Sequence, residues 1–191
     1  NNYCALGDAG VGAAIAGNSA KCLVSNCVIS CDYTAGGGTI YGPLVVRDSF
    51  IVDNISCVYA SVNGDTAAIT LNATTGCRSG GGGVVGGTCY NCVIANNSMR
   101  KQQYTSDLGG GGARGATLYN CLVVSNTSPY YGDGGTEGCR LFNCTVADNR
   151  GVAAGGVYGG VATNCVIWGN GLVGSSETTP TNNYDATAVL G

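Results

Sequence analysis

The stretch GGARGATLYNCLVVSN, residues 111–126, decides the fold because it recurs three more times without a gap. GGVVGGTCYNCVIANN begins at Gly82, GGTEGCRLFNCTVADN at Gly134 and GGVYGGVATNCVIWGN at Gly155. Each copy holds a glycine pair, a short apolar stretch, the pair Asn-Cys in three copies of LYNC type and in TNC, and a second apolar stretch ending on Asn. In LYNCLVV, the side chains of Leu118, Cys121 and Val123 all face inward if Tyr119-Asn120 makes a corner, since side chains alternate along each strand. Short strands, small turn residues, a fixed short period and no helical periodicity together describe an all-β solenoid.

Outward from these copies, the corner asparagines Asn91, Asn120, Asn143 and Asn164 extend upstream to Asn26 in SNCVISCD. Weaker copies start at Asp48 and Thr66, each with an Asn six places on, Asn54 and Asn72. The terminal copies are Tyr3-Cys4-Ala5-Leu6 and Thr187-Ala188-Val189-Leu190. The period averages about 23 residues over eight coils. Stacking at about 4.8 Å per coil predicts an inner column of Cys4, Cys27, Ser49, Ala67, Cys92, Cys121, Cys144, Cys165 and Ala188. The next inward column reads Leu6, Ile29, Ile51, Ile69, Ile94, Val123, Val146, Ile167 and Leu190, all aliphatic. A second asparagine column follows six residues after the corner, at Asn54, Asn72, Asn97, Asn126, Asn149 and Asn170, where stacked amides can bond up and down the stack. Helical repeats are too long for this period, and leucine-rich repeats place their asparagine in a different frame.

Composition narrows the class. Glycine supplies 34 of 191 residues, well over the usual share of roughly 7%, which argues against an ordinary helical protein. The length suits a single domain over residues 1–191. With 10% charged residues and a net charge of −3, no electrostatic grip on nucleic acid is expected. No apolar run approaches the ~20 residues of a membrane span, so no membrane insertion is expected. Twelve cysteines without a histidine point to an oxidising, extracellular setting. The start at Asn1-Asn2-Tyr3 reads as a processed secreted product or an excised segment.

The repeat form GG…G…NC(V/T/L)(I/V)xxN resembles that of right-handed parallel β-helix proteins of bacterial surfaces, related in fold to pectate lyases and to polymorphic outer-membrane protein repeats. The resemblance covers essentially the whole chain. It implies a right-handed parallel β-helix of about eight coils. For function it implies several classes, since such folds serve polysaccharide lyases and hydrolases, adhesins and structural modules.

The residue chemistry favours the structural class. Polysaccharide-cleaving β-helices resemble one another in grouping carboxylates or a basic residue on one exposed sheet. Here the acids are scattered: Asp53 and Asp148 occupy equivalent turns four coils apart, about 19 Å. Arg47, Arg114 and Arg140 recur near corners without an adjacent acid column. The absence of histidine removes the commonest general base. No catalytic residue, metal site or cofactor is expected, and the reading is not an enzyme. Cys89-Tyr90-Asn91-Cys92 has CxxC spacing, but both cysteines fall on inward positions, favouring core packing or disulfides over zinc. Adjacent-coil stacking makes Cys4–Cys27, Cys92–Cys121 and Cys144–Cys165 candidate disulfides, with a free buried thiol ladder as the alternative. Sequons at Asn54, Asn72, Asn96 and Asn126 are candidates for covalent glycans, whereas Asn143 is expected at a buried corner and unmodified.

The ends carry the functional reading. Neither terminus shows a cap, and the terminal strands marked by Cys4 and Leu6 and by Ala188 and Leu190 fall at equivalent points of the coil. An open solenoid end presents unpaired strand edges. The expectation is therefore a structural subunit of an extracellular filament whose partner is another copy of itself, stacked head to tail. The alternative is a secreted or surface polysaccharide-active enzyme or carbohydrate-binding adhesin. Ice binding would need regular threonine arrays, which the sequence lacks.

Overall fold

The computed structural model describes residues 3–4, 14–34, 38–56, 81–99, 109–129, 132–174, 180–185 and 187–191. These form a right-handed parallel β-helix in which every strand pair is parallel and corresponding residues of successive coils lie in register. A full coil has four short strands, two residues long on the first and fourth sides and three on the second and third.

The first face stacks Ile15–Ala16, Ile40–Tyr41, Val84–Val85, Ala113–Arg114, Thr136–Glu137 and Val157–Tyr158. The second stacks Leu23–Ser25, Val45–Arg47, Thr88–Tyr90, Thr117–Tyr119, Arg140–Phe142, Val161–Thr163 and Val189–Leu190. The third stacks Val28–Ser30, Phe50–Val52, Val93–Ala95, Leu122–Val124, Thr145–Ala147 and Val166–Trp168. On the fourth side Tyr3–Cys4, Tyr33–Thr34, Ile55–Ser56 and Ser98–Met99 pair in sequence. Arg150–Gly151 pairs separately with Gly171–Leu172, and bridges through Thr127 connect the two groups.

The corners follow from backbone sterics. Between the second and third faces, Asn26, Asp48, Asn91, Asn120, Asn143 and Asn164 all have φ between 49° and 54°. Among non-glycine residues, Asn and Asp tolerate this left-handed conformation best. Five residues later Cys31, Asp53, Asn96, Ser125 and Asp148 turn the chain again with φ of 55–58°. The strand residues between these turns alternate, sending Ile29, Ile51, Ile94, Val123 and Val146 inward to near-complete burial. They meet Val46, Cys89, Leu118 and Leu141 from the second face and Ile40, Val84, Ala113 and Val157 from the first.

Three parts of the expected frame are corrected. Ile51 pairs directly with Ile94, a step of 43 residues where the other steps run from 21 to 29, so no coil containing Ile69 and Asn72 stands between them. Leu6, Ile69, Asn72 and Ala67 themselves lie outside the described residues. At the start, Tyr3–Cys4 pairs with Tyr33–Thr34 on the fourth side, so Cys4 does not stack on Cys27. At the end, Leu190 pairs with Ala162 on the second face rather than with Ile167 on the third. The two terminal strands therefore occupy different phases of the coil. The shared pattern of a small residue followed by apolar ones was too generic to hold the register there.

Candidate functional site

The feature that organises the coil is the buried asparagine column. Asn54, Asn97, Asn126, Asn149 and Asn170 are each fully buried. Asn126 shows the unit: Nδ2 donates to the Ile94 carbonyl at 2.9 Å and to Asn149 Oδ1 at 3.0 Å, while its Oδ1 accepts from the Asn97 backbone N–H at 2.9 Å and Asn97 Nδ2 at 3.0 Å. Those four bonds exhaust the hydrogen-bonding capacity of a primary amide. Asp32 lies below Asn54, its N–H donating to Asn54 Oδ1 at 3.0 Å. Asn183 lies above Asn170 and accepts from its N–H at 3.0 Å and its Nδ2 at 2.9 Å. Neither extension was read from the sequence, although Asp32 has the telling spacing of six residues after Asn26. The ladder needs glycine beside it: a Cβ on Gly112 would stand 2.8 Å from the Gly135 carbonyl and 2.9 Å from Asn126 Nδ2.

The corner asparagines form a second, exposed ladder. Asn91 Nδ2 donates to Asp48 Oδ1 at 2.9 Å, Asn120 to Asn91 at 3.2 Å, Asn143 to Asn120 at 3.3 Å and Asn164 to Asn143 at 2.6 Å. The burial expected at three of the sequons is corrected. Asn54 and Asn126 are sealed inside the ladder with no amide free for a glycan, while Asn143 is exposed rather than buried. Asn96 is exposed at its turn, and Asn72 lies outside the described residues.

Immediately after each exposed corner, a small donor side chain caps the carbonyl two residues back. Cys27, Cys92, Cys121 and Cys165 place Sγ 3.2 Å from the carbonyls of Ser25, Tyr90, Tyr119 and Thr163, and Cys144 lies 3.3 Å from that of Phe142. Ser49 performs the same task, its Oγ donating to the Arg47 carbonyl at 2.6 Å. Nine of the cysteines among the described residues, from Cys22 to Cys165, are free thiols. The candidate pairs Cys92–Cys121 and Cys144–Cys165 are neighbours in this thiol ladder, whereas the strand of Cys4 pairs with Tyr33–Thr34 and not with the rung of Cys27. Hydrogen bonds to Cys144 and Cys92, together with burial, hold the Cys121 thiol well above its ordinary range. Burial pushes Cys139 up to about 12. Cys89 is raised by its hydrogen bond with Cys92 and by burial, so this CxxC pair lies in the core.

Outside, the second face carries an aromatic stack. Tyr90 and Tyr119 have ring centroids 4.9 Å apart, as do Tyr119 and Phe142, and the Arg47 guanidinium lies 4.5 Å from the Tyr90 centroid. The rings cover one another's faces, which stabilises the sheet. Among the acids, Asp53 and Asp148 stand three rungs apart rather than four, about 14 Å. Arg114 does have an acidic neighbour, with Nε 3.5 Å from Glu137 Oε2. Asp133 is buried with its Oδ2 unpartnered. Burial, then repulsion from Glu137, pushes its carboxyl up to about 8. The described residues contain no cluster of three or more His, Cys, Asp or Glu side chains arranged for a metal ion.

The ends of the stack differ from its middle. At the C-terminal end the one-turn helix Pro180–Asn183 lies over the glycine corner, where the Asn182 carbonyl accepts from Gly155 N–H at 2.7 Å. Tyr184 bridges to Val157, and Val189–Leu190 covers Val161–Ala162. Over the third face, no described strand follows Val166–Trp168. Half-buried Cys165 and Ile167 there border a concavity of about 220 Å³ that also touches Ala162, Tyr184, Leu190 and Gly191. At the other end, no described strand precedes Val28–Ser30, and Cys27 is likewise half-buried.

Comparison with protein-family models, curated proteins and solved structures yields no match to this chain.

Proposed function

We propose that the protein is a structural subunit that lengthens into a filament by stacking end on end. The supporting observation is the third face, whose first and last described rungs carry the same inward pair: Cys27 and Ile29 at one edge, Cys165 and Ile167 at the other. A strand Val28–Ser30 added above Val166–Trp168 would continue both the thiol and aliphatic columns and pair the backbone of the two strands. Equivalence of the chain termini has no part in this version, because the terminal strands occupy different phases. The helix Pro180–Asn183 and the strand Val189–Leu190 would fit against the other faces of the incoming copy or shift aside.

The extracellular setting is part of the proposal but has lost its simplest argument. Thiols that cap corners, and that Ser49 can replace, give the cysteine content a physical cause other than an oxidising compartment. The resemblance to bacterial-surface β-helices remains a likeness of repeat form.

The test is electron microscopy and sedimentation of the purified chain. Fibres with an axial repeat near six rungs, about 29 Å, are expected. Ile167→Lys should leave the circular-dichroism spectrum intact while abolishing them. A monodisperse monomer at high concentration, or fibres indifferent to Ile167→Lys, would overturn the reading.

A further inference from the structure

We propose that a cleft on the fourth side binds a small organic carboxylate through Arg150. The outward column of that side runs Ile55, Ser98, Thr127, Arg150 and Gly171. On the rung above Arg150, position 171 carries no side chain. Beside this column lies a cleft of about 510 Å³. Ser98, Thr127 and Arg150 form its polar part, and Pro129, Leu172 and Val173 its apolar wall.

The charge is what makes this cleft more than a gap. Among the described arginines, Arg47 stacks on Tyr90, Arg114 pairs with Glu137 and Arg140 is exposed to water. Arg150 is half-buried, its Nη1 shut off from solvent without a hydrogen-bond partner, and no described carboxylate lies within 4.0 Å of it. A cation partly removed from water without a counter-charge is unfavourable, and a bound anion relieves it. Beside it Thr127 Oγ1 donates to Ser98 Oγ at 3.2 Å, so two ordered hydroxyls line the same cleft.

Geometry selects the anion. A planar guanidinium matches a planar carboxylate through two parallel N–H···O bonds. A bare inorganic ion would leave most of the cleft empty, whereas the carbon body of an organic acid can lie on Pro129, Leu172 and Val173. Burying several methylenes there, each contributing up to about 0.8 kcal/mol, favours the longer acid. The site is independent of filament assembly, since it faces sideways from the stack.

The experiment is a titration followed by two-dimensional NMR, with acetate, hexanoate, sulfate and hexanol as probes. Hexanoate should bind saturably and at least tenfold more tightly than acetate or sulfate, shifting Thr127, Arg150 and Val173, and hexanol should produce no saturable shift. Arg150→Gln should weaken hexanoate at least tenfold without lowering the melting temperature, and Arg150→Lys should retain part of the affinity. No saturation by about 10 mM, roughly ten times a Kd of 1 mM, would overturn the proposal. So would sulfate binding as well as hexanoate, or unchanged binding in Arg150→Gln.

Discussion

Two columns of asparagine run along this molecule six residues apart, and they do opposite things with the same side chain. At the corner, Asn91, Asn120, Asn143 and Asn164 are exposed and adopt φ of 52–54°, so residue type is chosen mainly by backbone conformation. On the inner column, Asn97, Asn126 and Asn149 are fully buried, and residue type is chosen by an amide that can fill four hydrogen bonds at once. The outer position accepts Asp48 as a substitute. Between Asn54 and Asn170 the described inner column holds asparagine alone. One is a turn preference; the other is a continuous polar spine within an apolar core.

The largest effect should come from breaking the inner column. Asn126→Leu keeps the volume but orphans the Asn97 N–H and one Asn97 Nδ2 proton, and takes one of two donors from the Ile94 carbonyl. At about 1–3 kcal/mol per orphaned buried group, the expected loss is on the order of 4 kcal/mol or more, read from urea denaturation. A loss below about 1 kcal/mol would mean that the ladder is incidental to stability.

Next in size is a buried polar group outside either column, which lacks the full pairing that the ladder provides. Asp133 keeps its proton up to about pH 8 when folded, against 3.8 when unfolded. The stability it contributes is therefore complete below about pH 4 and drains away as pH rises to 8. Asp133→Asn should flatten that slope and raise the melting temperature at pH 8 relative to the parent. A parent chain whose stability is level between pH 5 and 8 would contradict it.

The smallest effect belongs to the outer column. Asn120→Ala should cost about 1–2 kcal/mol by forcing a Cβ-bearing residue without a polar side chain into the left-handed region. Asn120→Gly should cost less than Asn120→Ala. If both columns responded equally in urea melts, the distinction drawn here would collapse.

The same distinction marks what could be read in advance. The aliphatic column from Ile29 to Ile167 was legible because inward strand positions tolerate little besides Ile and Val, so its register could be followed through every strong copy. The buried column was legible as spacing. Which of the two columns faced inward was not, since the residue letter is identical, and Asn143 was consequently placed inside when it lies outside. The termini misled because Cys4 and Leu190 match the pattern in type while hydrogen bonding sets them on other faces. The Arg150 cleft left no trace in the sequence, because its lining from Ser98 to Val173 is brought together from four separate coils.

The inner amides all point the same way. In every amide-to-amide bond Nδ2 donates toward the next coil and Oδ1 accepts from the previous one, from Asn54 to Asn170. The rod consequently has a polarity, like an arrow with a donor tip and an acceptor tail. A second rod placed tip to tip would oppose donor to donor, whereas tip to tail continues the row, so any axial partner must travel in the same sense.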